Sequence, residues 1–108
     1  MEIVALVYEA TSKFPSDQKF ILAAQIQRCA VSIPSNIAEG SRHRHVGYAH
    51  YLVIALGSHA ELDTQCELAG RRNYFSQNQG RRVQNLIDEV GRITHGLLRS
   101  IEARVPNP

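Results

Sequence analysis

The residues whose types could first suggest catalysis are Ser58, His59 and Glu61, which have the side chains of a hydrolase nucleophile, base and acid. The helical spacing of the surrounding apolar residues places adjacent side chains about 100° apart around a helix. Ser58 and His59 would therefore not share a hydrogen bond, and no sharp turn presents the serine. We expect no enzyme activity and no catalytic residues, and we expect His59 to hydrogen-bond a partner helix.

Three histidines, His43, His45 and His50, have the residue type of a divalent metal site, with Glu102 as a candidate fourth ligand. They lie in or beside a polar connection and lack a supporting carboxylate close in sequence. The alternative is a solvated basic loop, and we predict no metal and no cofactor. The sequence also has no phosphate-loop, dinucleotide-binding, zinc-protease or calcium-loop motif.

Arginine is the residue type that most suggests a binding function. Ten of the 12 basic residues are arginine, whose planar guanidinium suits bidentate contacts with phosphate or carboxylate. Two arginine pairs, at 71–72 and 81–82, lie near Tyr74 and Phe75, on which an exposed base could stack. The formal net charge of only +2 gives no overall field that favours nucleic acid. Nucleic-acid binding and a plain oligomerising scaffold therefore both stay open.

The elements that would position these residues are helices, because apolar residues recur at helical spacing and no segment alternates as a strand does. Short connections make consecutive helices antiparallel. The predicted fold class is all-α, an antiparallel up-down-up-down four-helix bundle, with one domain over residues 1–104 and a frayed tail at 105–108. The predicted helices cover about residues 2–13, 16–40, 46–70 and 77–104.

Local signals mark the ends of these helices. Pro15 ends the first, because a proline disfavours helical geometry at the residue before it. Ser16 and Ser76 are the expected N-caps of the second and last helices. Gly40 and Gly70 are the expected left-handed caps that end the second and third.

Each predicted helix has an apolar seam that we expect to face the core. The second seam continues through Pro34, where we expect a kink rather than a restart. A chain reversal near residue 43 would place Cys29 opposite Gly57 and roughly 13 Å along the bundle from Cys66, too far for a disulfide. The four seams are Ile3, Val7, Ala10 and Phe14; Ala23, Ile26, Ala30, Ile33 and Ile37; Tyr48, Leu52, Ala55, His59, Leu62, Cys66 and Ala69; and Val83, Leu86, Val90, Ile93, Leu97 and Ile101.

The sequence also indicates a cellular compartment. No apolar run approaches the roughly 20 residues needed to cross a bilayer, and no secretory signal pattern is visible. Two cysteines are too few for a disulfide scaffold. We expect a cytoplasmic protein with free thiols and no membrane partner.

Two stretches resemble a known family. Residues 30–40, AVSIPSNIAEG, strongly resemble a motif of the 23S rRNA intervening-sequence proteins, also called S23 ribosomal proteins, and residues 54–65, IALGSHAELDTQ, are similar to the second motif of that family. The resemblance extends over about residues 3–101. The matching positions, which we interpret as mainly architectural, are Pro34, Ser35, Asn36, Glu39, Gly40, Ser58 and Glu61.

The resemblance implies a bacterial four-helix bundle that assembles into a homopentameric ring, in a family where most members have no established activity. A related branch, the accessory variability determinant of diversity-generating retroelements, binds nucleic acid and a reverse transcriptase through basic surfaces. This sequence departs from the family in its connection at residues 41–47, which supplies Arg and His, and in His59, where a small or apolar residue is usual.

Together these observations predict a non-enzymatic oligomer that binds nucleic acid, RNA in preference to DNA, through arginines at the ends of the bundle. The alternative is a structural or protein-binding scaffold with no nucleic-acid ligand, in which the arginines pair with carboxylates of neighbouring subunits. The topology also brings Arg99 and Arg104 to the same end as Arg42 and Arg44. The candidate nucleic-acid-binding residues are Arg42, Arg44, Arg71, Arg72, Arg81 and Arg82.

Overall fold

A computed structural model describes residues 1–104, except for the side chains of residues 18–20. Within this part the chain forms four helices and no strand, which confirms the all-α prediction. Residues 105–108, which were predicted to fray, lie outside the described residues. The helices are α1, Glu2–Thr11; α2, which joins Ser16–Gln18, Lys19–Ala23 and Ala24–Gly40; α3, His45–Arg71; and α4, Gln77–Glu102.

Sequential helices pack against one another, and α1 also packs against α4, which closes the bundle. The molecule measures 51 × 22 × 20 Å. The 10 residues of α1 span only about 15 Å, whereas the 27 residues of α3 span about 40 Å. The bundle therefore has four helices near the α3–α4 connection, called here the 72–76 end, and three near the α2–α3 connection, called the 41–44 end.

Helix α2 contains two departures from regular α geometry. Lys19–Ala23 forms a π-helical turn, which holds one more residue than an α turn. The helix then continues through Pro34 to Gly40. As predicted, it does not restart at the proline. Proline lacks a backbone N–H, and the carbonyl one turn earlier, that of Ala30, loses its usual helical donor.

The register between α2 and α3 differs from the predicted one. Ser32 Oγ lies 2.7 Å from Ser58 Oγ, and the Cys29 thiol lies 3.7 Å from Glu61 Oε2. Cys29 is therefore opposite Glu61 and not Gly57, because the centre of the hairpin lies in the first turn of α3 and not in the connection. This shift of four residues reduces the axial offset of the two cysteines to about 7.5 Å, so the predicted 13 Å is wrong.

The predicted seams of α1, α2 and α3 are buried or half-buried as expected, but that of α4 is rotated. Ile93 is 61% exposed, and Leu86, Val90 and Leu97 are only half-buried. Gly91 and Thr94 are buried in place of these residues, and the Thr94 hydroxyl donates to Val90 O at 2.7 Å. The buried residues of α4 are Val83, Ile87, Gly91, Thr94 and Ile101.

Neither predicted glycine cap is a cap. No glycine among the described residues has a positive φ, and Gly40 lies in the last turn of α2. A Cβ on Gly40 would lie 2.8 Å from Tyr51 Cβ and 3.1 Å from Tyr48 Cδ1. A glycine is required at position 40 because α3 approaches too closely for any side chain, and not because the backbone turns.

The left-handed cap of α3 is Asn73, which has a φ of 59°, and not Gly70. Tyr74 N donates to Ala69 O and Asn73 N to Gly70 O, both at 3.0 Å, which is the hydrogen-bond pattern of a Schellman motif. The predicted N-cap of α4 is confirmed, since Ser76 Oγ accepts from Gln79 N at 3.1 Å. Helix α2 begins at Ser16 itself, so the predicted cap is its first helical residue.

Both cysteines are free thiols in the α2–α3 interface, and each is 5% exposed. Burial raises the pKa of the Cys66 thiol from its ordinary 9.0 to about 12, and the charge of Asp63 adds to that increase. Burial also raises the pKa of Cys29, together with the adjacent Glu61 carboxylate, which accepts its S–H. The protonated thiols are therefore the form that the folded state favours.

We predict that Gly40→Ala lowers the free energy of unfolding by about 1–3 kcal/mol, because the new methyl group would overlap Tyr51. Gly57→Ala is the matched control, since a Cβ at this α3 position meets no atom within 4 Å. It should raise the free energy of unfolding by about 0.5–1 kcal/mol through helix propensity. Chemical denaturation measures both, and a neutral Gly40→Ala would contradict the close approach of α2 and α3.

We predict that iodoacetamide modifies Cys66 of the folded protein at pH 8 about a thousandfold more slowly than an exposed cysteine, because little thiolate is present. The raised pKa also predicts that stability is lost as the pH rises above 9.0, by about 2 kcal/mol at pH 10.5. Cys66→Ala should remove this part of the alkaline loss. Rapid labelling of the native protein, or an unchanged alkaline slope in the variant, would show that the thiol is accessible.

Candidate nucleic-acid interface

The four candidate arginines at the 72–76 end lie at the end of α3, where Arg71 is its last residue and Arg72 follows it, and in the second turn of α4, and all are exposed. Arg71 Nη2 bonds Glu67 Oε1 at 2.9 Å, in a solvent-exposed pair that contributes little stability. Arg82 lines a groove together with Glu2 and Glu9 of α1. Of these four arginines, Arg71 alone takes part in an ion pair among the described side chains, while Arg82 shares its groove with two carboxylates.

The aromatic residues at this end do not form the base-stacking platform that the sequence suggested. Phe75 is buried, and its ring packs edge-on against Phe14 with centroids 5.2 Å apart. The half-buried ring of Tyr74 packs on the same phenylalanine at 5.3 Å. These three rings instead close the bundle where the α1–α2 connection crosses the 72–76 end.

At the 41–44 end, Arg42 and Arg44 are exposed in the four-residue connection between α2 and α3. Helix α4 is antiparallel to α3, since Gln84 of its first half hydrogen-bonds Asp63 of the second half of α3. The C-terminus of α4, with Arg99 and Arg104, therefore lies at the same end as the connection. The predicted sorting of arginines to the two ends follows from the observed topology.

The three histidines do not form a metal site. Among residues 1–104, no three His, Cys, Asp or Glu side chains lie together so that they could hold a metal ion. His43 stacks on Tyr51 with ring centroids 5.0 Å apart, and His50 meets the edge of the same ring at 5.3 Å. Glu39, one turn before His43, lies 3.5 Å from His43 Nε2, so a carboxylate is closer in sequence than expected.

The matching positions of the two motifs mostly hold α2 and α3 together. Asn36 Nδ2 donates to Ser32 O at 2.8 Å and to Ser32 Oγ at 3.0 Å, and Ser32 in turn bonds Ser58. Glu61 accepts from Cys29, and Gly40 provides the close approach to Tyr51. The sequence analysis did not single out Ser32, although its position one helical turn before Asn36 was the available signal. Ser35 is exposed and Pro34 half-buried.

His59 forms the predicted contact with a partner helix. Its Nε2 lies 2.8 Å from Ile87 O of α4. Because a carbonyl can only accept, this nitrogen carries the proton. Ser58 bonds Ser32 on α2, so the two adjacent side chains contact different helices. A Cβ on Gly91 would lie only 2.7 Å from His59 Nε2, so the glycine makes room for the ring.

Of the helices described, none combines the length and the apolar character that crossing a membrane requires. No curated protein matches this chain. A sequence model of the family described as 23S rRNA-intervening sequence protein matches residues 1–96, which include both motifs and all of α1, α2 and α3. The match covers most of the chain and agrees with the four-helix architecture and with the resemblance of the motifs. The chain therefore belongs to the 23S rRNA-intervening sequence protein family.

Proposed function

We propose that the protein binds nucleic acid, RNA in preference to DNA, through exposed arginines at the two ends of the bundle, and that it acts without catalysis. The observation that carries this proposal is the distribution of charge. The connections and helix ends at 42–44 and 71–82 contain six arginines, all solvent-exposed. The family description, which concerns sequences within 23S rRNA, supports RNA as the ligand.

The side chains around each arginine indicate how much it should contribute to nucleic-acid binding. Arg42, Arg44, Arg72 and Arg81 take part in no ion pair among the described side chains, so their guanidinium groups are available for phosphate oxygens. Arg71 must first leave Glu67, and Arg82 lies near two carboxylates. If the four available arginines each contact one phosphate of a single strand, log K should fall with log salt with a slope of about −3.

We further propose that the chain assembles into a homopentameric ring in a bacterial cytoplasm, as the resemblance to the family implied. Exposed apolar side chains on α3 support assembly, since Val46 and Val53 are 68% and 57% exposed. A ring would present five copies of each basic end on a shared face, which strengthens binding to one long strand through effective concentration. The free, buried thiols agree with a reducing compartment.

A scaffold without nucleic acid is the second candidate, and the pairing of Arg71 with Glu67 supports it, because the same types of residue could pair between subunits. The two functions differ in their response to salt. Phosphate contacts release counterions and give a steep dependence, whereas a scaffold would retain no RNA at any salt concentration.

We predict that Arg72→Gln with Arg81→Gln weakens binding to a fluorescein-labelled single-stranded oligoribonucleotide about tenfold or more at 100 mM salt, and lowers the slope by about 1.4. Arg71→Gln with Arg82→Gln is the matched control, because it removes the same charge from arginines beside carboxylates. It should have a smaller effect. Fluorescence anisotropy measures both. Equal losses of affinity in the two variants would show that binding depends only on net charge, and would contradict the assignment to particular arginines.

Native mass spectrometry of protein purified at low salt without nuclease should show an assembly of about 60 kDa, five times the 12.1 kDa chain, with RNA bound. The stoichiometry and the retained ligand come from the same spectrum. A monomer would contradict the ring, and an RNA-free pentamer with a flat salt response would favour the scaffold.

A further inference from the structure

An open groove of about 560 Å³ lies between α3 and α4, in the half of α4 that leads to the 41–44 end. One face of α4 forms its side, with Arg92, His95 and Arg99 at helical spacing. Asp88 lies at one edge, one turn before Arg92. His59 of α3 and Gly91 complete the lining, and we call this site the α4 groove.

The base of the α4 groove is formed by a specific contact between a glycine and a histidine ring. Gly91 is buried in the middle of α4, where a glycine costs about 1 kcal/mol of helix propensity relative to alanine. Its missing side chain leaves room for the His59 ring, which bonds Ile87 O at 2.8 Å and so lies against the backbone of α4. The sequence therefore places an imidazole beneath a row of cations.

The cations of the groove are not neutralised by the protein itself. Neither Arg92 nor Arg99 belongs to the two ion pairs that the described side chains form. The Asp88 carboxylate accepts from Gln84 Nε2 at 2.9 Å, and the same amide nitrogen reaches Asp63 at 3.2 Å. Asp88 is thus held by an amide on the side away from Arg92. A permanent positive charge stays available at both ends of the arginine row.

The position of the groove connects it with the 41–44 end. Arg99 lies in the last turn of α4, and Arg104 follows the end of that helix, so arginines extend about 18 Å along the helix axis from residue 92 to residue 104. That length exceeds the size of a single small anion. It corresponds to about five nucleotides of a strand, at 3.4 Å of helix axis for each phosphate.

We propose that the α4 groove binds the phosphodiester backbone of a nucleic-acid strand, which continues along α4 from the 41–44 end. The proposal rests on the nucleic-acid function proposed above and adds a site along the side of the bundle. Arg92 and Arg99 donate to phosphate oxygens through their guanidinium forks, and His95 lies between them. His59 is a positioning residue that fills the base of the groove. The Asp88 carboxylate at the other edge repels the phosphates, so the bound strand ends there.

The test compares Arg92→Gln with Arg99→Gln against the control Lys13→Gln with Arg28→Gln, which removes the same charge from exposed residues outside both proposed sites. All four side chains are exposed, so neither pair should alter the thermal unfolding midpoint. The probe is a fluorescein-labelled oligoribonucleotide of about ten nucleotides, followed by anisotropy. We expect the groove variant to bind at least tenfold more weakly, with a salt slope lower by about 1.4, and the control to change less than threefold.

A second measurement separates failure of the groove from failure of the proposed function. Pyrophosphate added to the native protein should shift the His95 ring signals in NMR spectra, and it should not shift them in the groove variant. If RNA binding is native-like in the groove variant, the groove assignment is overturned while the proposed function stands. If the native protein binds no oligonucleotide, the proposed function fails, and with it the assignment of a strand to the groove.

Competition distinguishes a nucleic acid from an acidic protein partner. A glutamate-rich peptide with the same number of charges should displace the oligonucleotide at least tenfold less effectively than unlabelled RNA does. Equal displacement would overturn the assignment to a phosphodiester backbone and favour an acidic peptide as the occupant.

Discussion

The contact between α2 and α3 is the constraint on which the rest of the structure depends. Gly40 lets the backbones approach until no side chain fits, and the Ser32–Ser58 hydrogen bond fixes the register near the middle. Sliding by one turn, about 5.4 Å, would leave partly buried hydroxyl groups without partners, which costs free energy. On another face of α3, His59 lies against Gly91 of α4, so adjacent residues of α3 contact both neighbouring helices.

The shortness of α1 divides the bundle into two unlike halves. Near the 72–76 end, α1 covers α2 and α4, and the rings of Phe14, Tyr74 and Phe75 close the core. Towards the 41–44 end residues 1–104 supply only three helices, which explains why Ile93 stays 61% exposed although its spacing predicts an inward position. The half with fewer helices also carries Arg92 and Arg99 of α4. Exposed apolar side chains and positive charge therefore lie close together in this half.

The number of helices, their class and three of the four seams could be predicted from the sequence, because apolar spacing reports which face is buried. The seam of α4 could not, because Gly91 and Thr94 are not apolar side chains and become inward only where His59 and a backbone hydrogen bond accommodate them. Gly40 was assigned as a left-handed cap because a glycine suits such a cap and a close contact between helices equally well, and the sequence does not distinguish the two.

The candidate interface was predictable to a similar extent. Which arginines lie at which end follows from helix order alone. Helix order does not show whether each guanidinium is available to a phosphate. The carboxylates of Glu2 and Glu9, for example, come to line the groove of Arg82 only because α1 packs against α4. The α4 groove was missed because the sequence analysis assigned Arg99 to an end of the bundle and Arg92 to no site. Their shared helical face becomes meaningful only once His59 is known to lie beneath it.

The π-helical turn at Lys19–Ala23 has an evolutionary consequence. Such a turn accommodates one extra residue without changing the faces that the helix presents before and after it. A homologous chain one residue shorter in this segment would form an uninterrupted α-helix and still direct Leu22 and Ile26 inward. The α1–α2 region can therefore vary in length among related proteins while the α2–α3 hairpin, with its fixed register, keeps the same dimensions.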